Sequence, residues 1–279
     1  MTGGVASGTS LVIATYNWPE ALAAVLATVR RQWELPDEVV IADDGSRAET
    51  GALIASTGAS FPVPLRHVWH EDTGFRLGAI RNRAMAAAHG PYIIQLDGDM
   101  LLHPGFVRGH KRFARRGSYV QGSRAMLGQG ATRRALASND PARGLSVPFF
   151  TDVRNRVNAV YAPFLARFVR GPADPLTRTR GANMAFWRDD VIRVNGYDEE
   201  LEGWGREDSE FVARLMNAGV YRRNLKFAAV AWHLEHATRP QDTVERNHAL
   251  FERTVRDHRV RCERGIDQYL PRHAAAGNP

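Results

Sequence analysis

The first half of the chain alternates short apolar runs with segments of helical periodicity. The apolar runs predict strands, and they are SLVIATYN, DEVVIADDGS, PYIIQLDGDM and, more weakly, RHVWHE. Two segments predict helices, and they are PEALAAVLATVRRQ, with Pro19 in its first turn, and LGAIRNRAMAAAHG, closed by Gly90. Strands that alternate with helices indicate a mostly parallel sheet, whose ligands lie beyond the carboxyl ends of the strands.

The second half is less regular. From about residue 124 to 178 glycines, prolines and arginines are scattered, and we expect a helix or two near 151–169 and a mobile loop. Order then returns with a strand in GANMAFWR, helices in RDDVIRVNG and REDSEFVARLMNAG, the latter capped by Gly219, and an apolar strand in FAAVAWHLEH. A basic helix is predicted over about 242–264.

The composition is that of an ordinary globular protein. The 279 residues are 44% hydrophobic and 24% charged, which suits one large α/β domain or two small ones. The single cysteine, Cys262, excludes an intramolecular disulfide and a cysteine-based zinc site. The start MTGGVASGTS lacks the features of a secretory signal, and no window is apolar enough to span a membrane, so we expect a soluble cytoplasmic protein.

The chain is basic, with a formal net charge of +7 and a pI of about 10.0. Nucleic acid, an anionic membrane surface or a phosphate-bearing small molecule would each explain this charge. An arginine-rich composition explains it equally well, since Lys111 and Lys226 are the only lysines. Charge alone therefore identifies no partner.

Asp97 and Asp99 flank Gly98 directly after the run YIIQL. Both carboxylates can reach one hard cation, and the glycine lets a diphosphate approach the backbone. A divalent ion held there would neutralise phosphate oxygens and help a nucleotide to leave. The alternative is a simple turn, because Asp-Gly is a common turn pair.

A second acidic cluster, Asp43-Asp44, follows the strand DEVVIA. A carboxylate at this place could accept hydrogen bonds from a uracil N–H or a ribose hydroxyl. Thr15 and Asn17, at the end of the first strand, would lie beside it. The alternative is a polar loop with a helix cap.

In these segments the chain resembles family 2 glycosyltransferases of the GT-A fold. Four segments match that family in order over residues 11 to about 240, and they are LVIATYNWPEAL, DEVVIADDGS, GFRLGAIRNRAMAAAHGPYIIQLDGDM and GANMAFWRDDVIRVNGYDEELEGWGREDSEFVARL. The resemblance is to the bacterial chondroitin-polymerase-like branch, and the last segment is also similar to animal β-1,4-galactosyltransferases. It implies a Rossmann-like α/β GT-A fold, a mostly parallel central sheet flanked by helices.

The resemblance also implies one domain over residues 1–279. Its parts would be a nucleotide-binding half at about 10–122, an acceptor-binding half at about 123–240 and a basic helical tail at about 241–279. On the nucleotide side, Asp43 or Asp44 would bind the uridine, and Thr15 and Asn17 would contact the nucleotide beside them. Arg81 would lie near the nucleotide, and Asp97 would face ribose or metal. Asp99 would bind the metal, Mn²⁺ or Mg²⁺.

The run Trp204-Gly205-Arg206-Glu207-Asp208 carries the second carboxylate pair. An inverting transfer needs one base close to the acceptor hydroxyl, and the resemblance assigns that role to Asp208, with Glu207, Trp204 and Asn183 as acceptor or sugar contacts. Two carboxylates at a helix start are also what the helix dipole favours, and a buried tryptophan is common. Galactosyltransferases carry Gly-Gly where this chain has Gly-Arg, so the resemblance does not define the acceptor contacts at this place.

His233 and His236 close the strand that contains WHLEH. Histidines at a strand end are often structural, but imidazole together with carboxylate is a ligand set suited to Mn²⁺. The resemblance places a third metal ligand in this stretch, and spacing favours His236 over His233. Residues three apart on an extended strand face opposite ways, so both can bind only if the chain turns.

Together these residues predict an inverting transfer of a sugar from a nucleotide diphosphate donor, expected to be UDP-linked. The acceptor would be a hydroxyl of a carbohydrate or lipid-linked sugar in bacterial polysaccharide or lipopolysaccharide synthesis.

Two other functions are alternatives. A sugar-1-phosphate nucleotidyltransferase would need a glycine-rich, basic N-terminal loop, which SLVIATYN lacks. A nucleic-acid-binding protein would need arginines clustered on one face with interleaved aromatics. The arginines of this chain are scattered along the sequence, so we expect no nucleic-acid partner. The basic tail could contact the inner membrane surface, but the Glu252–Arg256 pair favours a solvated helix.

Overall fold

A computed structural model describes residues 8–145, 152–237 and 243–271 of the chain. The strands in these ranges are β1 (Thr9–Thr15), β2 (Glu38–Asp43), β3 (Leu65–Trp69), β4 (Tyr92–Asp97), β5 (Met100–Leu102), β6 (Ser118–Gly122), β7 (Ala125–Leu127), β8 (Val153–Arg154), β9 (Asn183–Trp187), β10 (Tyr221–Leu225) and β11 (Ala231–His233). Seven of them form one sheet in the order β10-β6-β9-β4-β1-β2-β3. The four shorter strands form a second sheet in the order β5-β11-β7-β8.

Helices connect these strands. The α-helices are α1 (Pro19–Arg30), α2 (Ala48–Gly58), α3 (Leu77–Ala87), α4 (Phe106–Phe113), α5 (Gln129–Leu136), α6 (Arg188–Arg193), α7 (Glu207–Asn217) and α8 (Val244–Arg256). Short 3-10 helices are Arg156–Ala159, Pro163–Phe168 and Ile266–Tyr269. Among the described residues, no helix is long and apolar enough to cross a lipid bilayer.

The central sheet is mostly parallel, as predicted. Strand β1 lies inside it and pairs in parallel with β2 on one side and β4 on the other, so that Val12 lies opposite both Val40 and Gln95. Strand β9 runs antiparallel between β4 and β6. The carboxyl ends of β1, β2 and β4 therefore meet at one edge of the sheet.

Alternate side chains of β1 belong to two hydrophobic cores, one on each face of the sheet. Leu11 and Ile13 share one core with Val25 of α1, whereas Val12 shares the other with Ile80 of α3. All seven residues of β1 are buried. Because helices cover both faces, the strand reads as a continuous apolar run rather than an alternating one.

Several elements are absent from the sequence prediction. In the first half of the chain the unpredicted elements are α2, α4, β5 and β6. In the stretch 124–178 they are α5, β7 and β8, and a further unpredicted strand, β10, follows α7. Helix α2 buries only Thr50 and Ile54, so its apolar periodicity is weak. Strand β10 is a partly exposed edge strand with the polar sequence YRRNL. Weak patterns of this kind do not separate such elements from loops.

Predicted boundaries also change. Helix α3 ends at Ala87, and Gly90 does not cap it: its N–H donates to Ser10 Oγ at 2.9 Å, and a Cβ there would lie 2.7 Å from Ser10 N. Gly219 does cap α7, with a φ of 80° and Val220 N donating to Leu215 O at 2.9 Å.

Three further segments differ in extent from the prediction. The helices expected near 151–169 are the two short 3-10 helices, and residues 146–151 of the expected loop lie outside the described ranges. The strand expected across FAAVAWHLEH is confined to β11, after Phe227 at a φ of 70°. The basic helix α8 ends at Arg256, before His258 at a φ of 48°. Positive φ values interrupt both extended and helical backbone.

Candidate active site at the carboxyl edge of the central sheet

The first acidic motif lies where the sequence places it, at the end of β4. Asp97 is the last residue of that strand, and Gly98 packs against β1 through a 2.7 Å hydrogen bond from its N–H to Ala14 O. A Cβ on Gly98 would lie 2.7 Å from the same oxygen and 3.2 Å from Thr15 Cβ. The glycine thus permits close approach of β1, and the approach of a diphosphate to it stays a prediction.

Arg81 of α3 joins the two carboxylate motifs. Its side chain is 1% exposed, and its two terminal nitrogens donate to Asp97 Oδ1 and to Asp208 Oδ1, each at 2.8 Å. Asp208 Oδ2 accepts a further hydrogen bond from Gly181 N at 2.6 Å. Residues far apart in the sequence therefore converge on one guanidinium, as the fork of an arginine allows.

Tyr197 and Gln95 complete this network, although neither is among the site residues predicted from the sequence. The Tyr197 hydroxyl lies 2.9 Å from Gln95 Oε1 and 3.2 Å from Asp208 Oδ1, and its ring lies 5.3 Å from the Arg81 guanidinium. Gln95 is fully buried within β4. A polar residue inside an otherwise apolar strand was the one signal that could have indicated the network.

The start of α7 sets the second carboxylate pair. Gly205 and Arg206 have φ values of 104° and 74°, and this left-handed turn leads directly into Glu207 and Asp208. Glu207 is 9% exposed, and its Oε2 accepts from Gly205 N at 3.1 Å. Burial, followed by the charge of Asp208, raises the pKa of Glu207 to about 7. Trp204, before the turn, is 39% exposed.

Asp99, His233 and His236 form a compact cluster with donor atoms within 4.8 Å of one another. Nε2 of His233 and Nε2 of His236 lie 3.4 and 3.2 Å from Asp99 Oδ2. Strand β11 ends at His233, and outside the strand the imidazole of His236 reaches the same carboxylate oxygen as that of His233. Because β11 pairs with β5, His233 lies opposite Met100.

The ionisation of this cluster suits a cation. Burial raises the pKa of Asp99, but the hydrogen bond from His236 and the nearby His233 outweigh it, so the pKa is lowered. Burial lowers the pKa of His233, which favours the neutral, ligating imidazole. Among the described residues, Asp99 Oδ1 is buried without a hydrogen-bond partner.

Asp43 and Asp44 are occupied by protein groups. Asp43 accepts from Ser46 N at 2.8 Å and pairs with His67 Nε2 at 2.9 Å. Asp44 pairs with His70 Nε2 at 2.8 Å and accepts from Arg76 N at 3.2 Å. These contacts tie the end of β2 to β3 and to the start of α3, and the uridine role of the two carboxylates stays a prediction.

The remaining predicted contacts lie on either side of this edge. Asn17, at a φ of 48°, accepts from Arg47 N at 2.9 Å, and Thr15 ends β1. Asn183 is 2% exposed and uses its amide internally, with Oδ1 2.9 Å from His110 Nε2 and Nδ2 donating to Ser123 O at 2.9 Å. Contacts of these side chains with nucleotide or sugar stay predictions.

The fold is a mostly parallel sheet with carboxylates gathered at its carboxyl edge, and comparison with known proteins identifies the family. The family model described as glycosyl transferase family 2 matches residues 10–170. A second model, described as the N-terminal domain of galactosyltransferase, matches residues 168–237. The chain belongs to glycosyl transferase family 2, and its fold is GT-A.

Curated relatives are longer than this chain. Chondroitin synthase of Escherichia coli is 27% identical over 86% of the chain and 36% of its own length. Validoxylamine A glucosyltransferase of Streptomyces hygroscopicus subsp. limoneus is 28% identical over 76% of the chain and 48% of its own length. The chain thus spans half or less of the length of these two relatives.

Solved structures share the fold at low identity. S. aureus TarS 1-349, in complex with UDP-GlcNAc, has a TM-score of 0.62 at 14% identity, covering 94% of this chain and 69% of that one. The mannosyltransferase PcManGT from Pyrobaculum calidifontis, in complex with GDP-Man and Mn2+, has a TM-score of 0.51 at 15% identity, covering 90% and 62%.

Proposed function

We propose that this protein transfers a sugar, with inversion, from a UDP-linked donor to a hydroxyl of a carbohydrate or lipid-linked sugar acceptor. The observation that carries the proposal is the junction of Asp97 and Asp208 on Arg81. It brings the donor-side strand end and the acceptor-side helix start to one place. The names of the relatives, chondroitin synthase and validoxylamine A glucosyltransferase, and the UDP-GlcNAc complex of TarS support the same reaction class.

Asp208 is our candidate for the base. It is fixed by Arg81, Gly181 N and Tyr197, and in the proposed reaction it removes the proton of the attacking hydroxyl. The hydroxyl oxygen then bonds to the anomeric carbon as the bond to the diphosphate breaks. Glu207 lies beside it with a pKa of about 7, which also suits a base near neutral pH, so the test below separates the two carboxylates.

Asp99, His233 and His236 fit a divalent cation. One carboxylate and two imidazoles are a donor set suited to Mn²⁺, their donor atoms lie within 4.8 Å, and the unpartnered Asp99 Oδ1 is available to such an ion. When bound, the ion supplies positive charge to the leaving diphosphate. Asp97, held by Arg81, is proposed to face ribose or the ion, with Thr15, Asn17, Asp43 and Asp44 around the nucleotide.

Donor hydrolysis tests the reaction without knowledge of the acceptor. A panel of UDP-sugars is incubated with Mn²⁺, and the wild-type protein is expected to hydrolyse at least one. Asp208→Asn should slow hydrolysis by about 100-fold or more while UDP affinity stays within about twofold. If Glu207→Gln abolishes hydrolysis and Asp208→Asn does not, the roles are reversed; no hydrolysis of any donor contradicts the proposal.

Calorimetry tests the cation site. Asp99→Ala should remove Mn²⁺-dependent UDP binding, because it deletes the carboxylate between the two imidazoles. The exposed Asp189→Ala, at a residue whose side chain is 78% exposed, is the matched control. Unchanged Mn²⁺ dependence in Asp99→Ala would place the ion elsewhere.

A further inference from the structure

A cavity of about 350 Å³ lies between β6, β9, β10 and the segment 169–180. Among the described residues, its lining includes six cationic side chains and no carboxylate. They are Arg124, Arg170, Arg178, Arg180, Arg222 and Lys226. We infer that this cavity binds an anionic group of the acceptor, a phosphate or a carboxylate; the inference rests on the proposed sugar transfer.

The positive charge in the cavity is only partly offset by carboxylates nearby: the charge of Asp174 acts on Arg222, and Asp97 and Asp99 lie within range of Arg124. Within residues 8–145, 152–237 and 243–271, none of the six cations takes part in an ion pair; the pairs found lie elsewhere. Burial, with the neighbouring charges of Arg124 and Arg178, lowers the pKa of Arg180, and Arg124 Nε is buried without a partner. Like charges gathered in a concave site repel one another, and a bound anion relieves that repulsion.

The cavity adjoins the candidate base. Arg180 precedes Gly181, whose N–H binds Asp208, and the carbonyl of Ala182, another lining residue, accepts from Asp97 N at 3.3 Å. An acceptor whose anionic group lies in the cavity therefore has a short path to Asp208. The volume is of the size that suits a single sugar or a phosphate.

One wall of the cavity is preformed. Arg222 donates to the carbonyl oxygens of Pro175 and Thr177, each at 2.7 Å, and to Asn224 Oδ1 at 3.0 Å. These bonds fix the segment that carries Arg178 against β10. Arg222 is therefore a positioning residue, and its removal would disturb the wall as well as the charge.

Arg178 and Lys226 are better positions for a test. Among the described residues neither side chain donates a hydrogen bond to the protein, so Arg178→Gln/Lys226→Gln lowers the charge by two without removing an internal hydrogen bond. Arg124 is left intact because its charge also acts on Asp97 and Asp99. The control is Arg133→Gln/Arg246→Gln, the same charge change at two exposed helix residues.

Binding is measured by ligand-observed NMR with three probes, inorganic phosphate, glucuronate and neutral glucose. Each titration is run without nucleotide and again with saturating UDP and Mg²⁺, which fills the proposed donor site. We expect phosphate or glucuronate to bind under both conditions, and glucose at least about tenfold more weakly. The cavity variant, Arg178→Gln/Lys226→Gln, should weaken anion binding about tenfold or more, and the control variant should not. Whichever of the two anions binds the wild type more tightly identifies the group as a phosphate or a carboxylate.

Three results would overturn the inference. The wild type could bind neither anion, or the cavity and control variants could bind the anion equally well. Anion binding could also disappear when UDP and Mg²⁺ are added, which would assign the anion to the donor diphosphate site. Absence of UDP binding in the same samples would instead contradict the proposed function, while the nucleotide-free titrations would still report on the cavity.

Discussion

Glu207 links the electrostatics of the candidate site to stability in a way that can be measured. Burial and the charge of Asp208 raise its pKa from 4.5 to about 7, so the unfolded chain ionises at lower pH than the folded protein. Below pH 4.5 both states are protonated and the group has no effect. As pH rises towards 7 the folded state loses about 1.4 kcal/mol per pH unit, and the penalty levels off at about 3 kcal/mol above pH 7.

The substitution Glu207→Gln keeps the size of the side chain and an oxygen that can accept from Gly205 N, but it cannot ionise. We therefore expect the free energy of unfolding of Glu207→Gln, relative to the wild type, to increase by about 3 kcal/mol between pH 4.5 and pH 8. The measurement is urea denaturation followed by tryptophan fluorescence at intervals of half a pH unit, in EDTA. Glu71→Gln, at an exposed loop residue, is the control.

The pH slope is the decisive quantity, because a constant offset between variant and wild type reports only on packing. A difference that stays within about 1 kcal/mol across this range would show that Glu207 ionises normally in the folded protein. Arg81 would then compensate for its burial more fully than the geometry indicates. A slope shared by Glu71→Gln would show that the effect is not specific to the site.

Substitutions at four other positions test the remaining contacts. Arg81→Met should lower the free energy of unfolding, measured by urea denaturation, by about 3–5 kcal/mol, because it leaves two carboxylates without their buried partner. Arg81→Lys should recover only part of that loss. Equal stability of the wild type and both variants would refute the bridge. Gly98→Ala should lower the free energy of unfolding by about 1–3 kcal/mol, since its Cβ would lie 2.7 Å from Ala14 O, and an unchanged midpoint would contradict this. His233→Ala and His236→Ala should each weaken Mn²⁺-dependent UDP binding by about tenfold or more in calorimetry, and an imidazole whose loss has no effect is not a ligand.

Much of the fold could be predicted from the sequence because the patterns that indicate its strands and helices are local. The strands β1, β2 and β4 are apolar runs buried on both faces, and Pro19 begins α1 as its fixed φ favours. Asp97 and Asp99 could be placed at the carboxyl edge because they follow such a strand directly. The edge strand β10 could not be predicted from the sequence, because its residues are polar and partly exposed. Only its pairing with β6 identifies it as a strand.

The partners of the site residues were less accessible to sequence reasoning. The sequence predicts a nucleotide contact for Asp43 or Asp44, but it does not indicate that Asp43 also bonds to Ser46 and to His67, a residue of the neighbouring strand. Tyr197 reaches Asp208 from a segment with no motif of its own. Such contacts depend on which side chains tertiary packing brings within hydrogen-bonding distance, and spacing along the chain does not encode that distance.

The bridge through Arg81 joins the two carboxylate motifs into one candidate site. Arg81 and Asp97 lie in the part matched by the family 2 model, and Asp208 lies in the part matched by the galactosyltransferase model. Two separate nitrogens of one planar guanidinium hold the two carboxylates, which fixes their separation before any ligand binds. In the proposed reaction the sheet edge would face the donor and the helix start would face the acceptor, and pre-orientation of this kind would lower the barrier to transfer between two bound substrates.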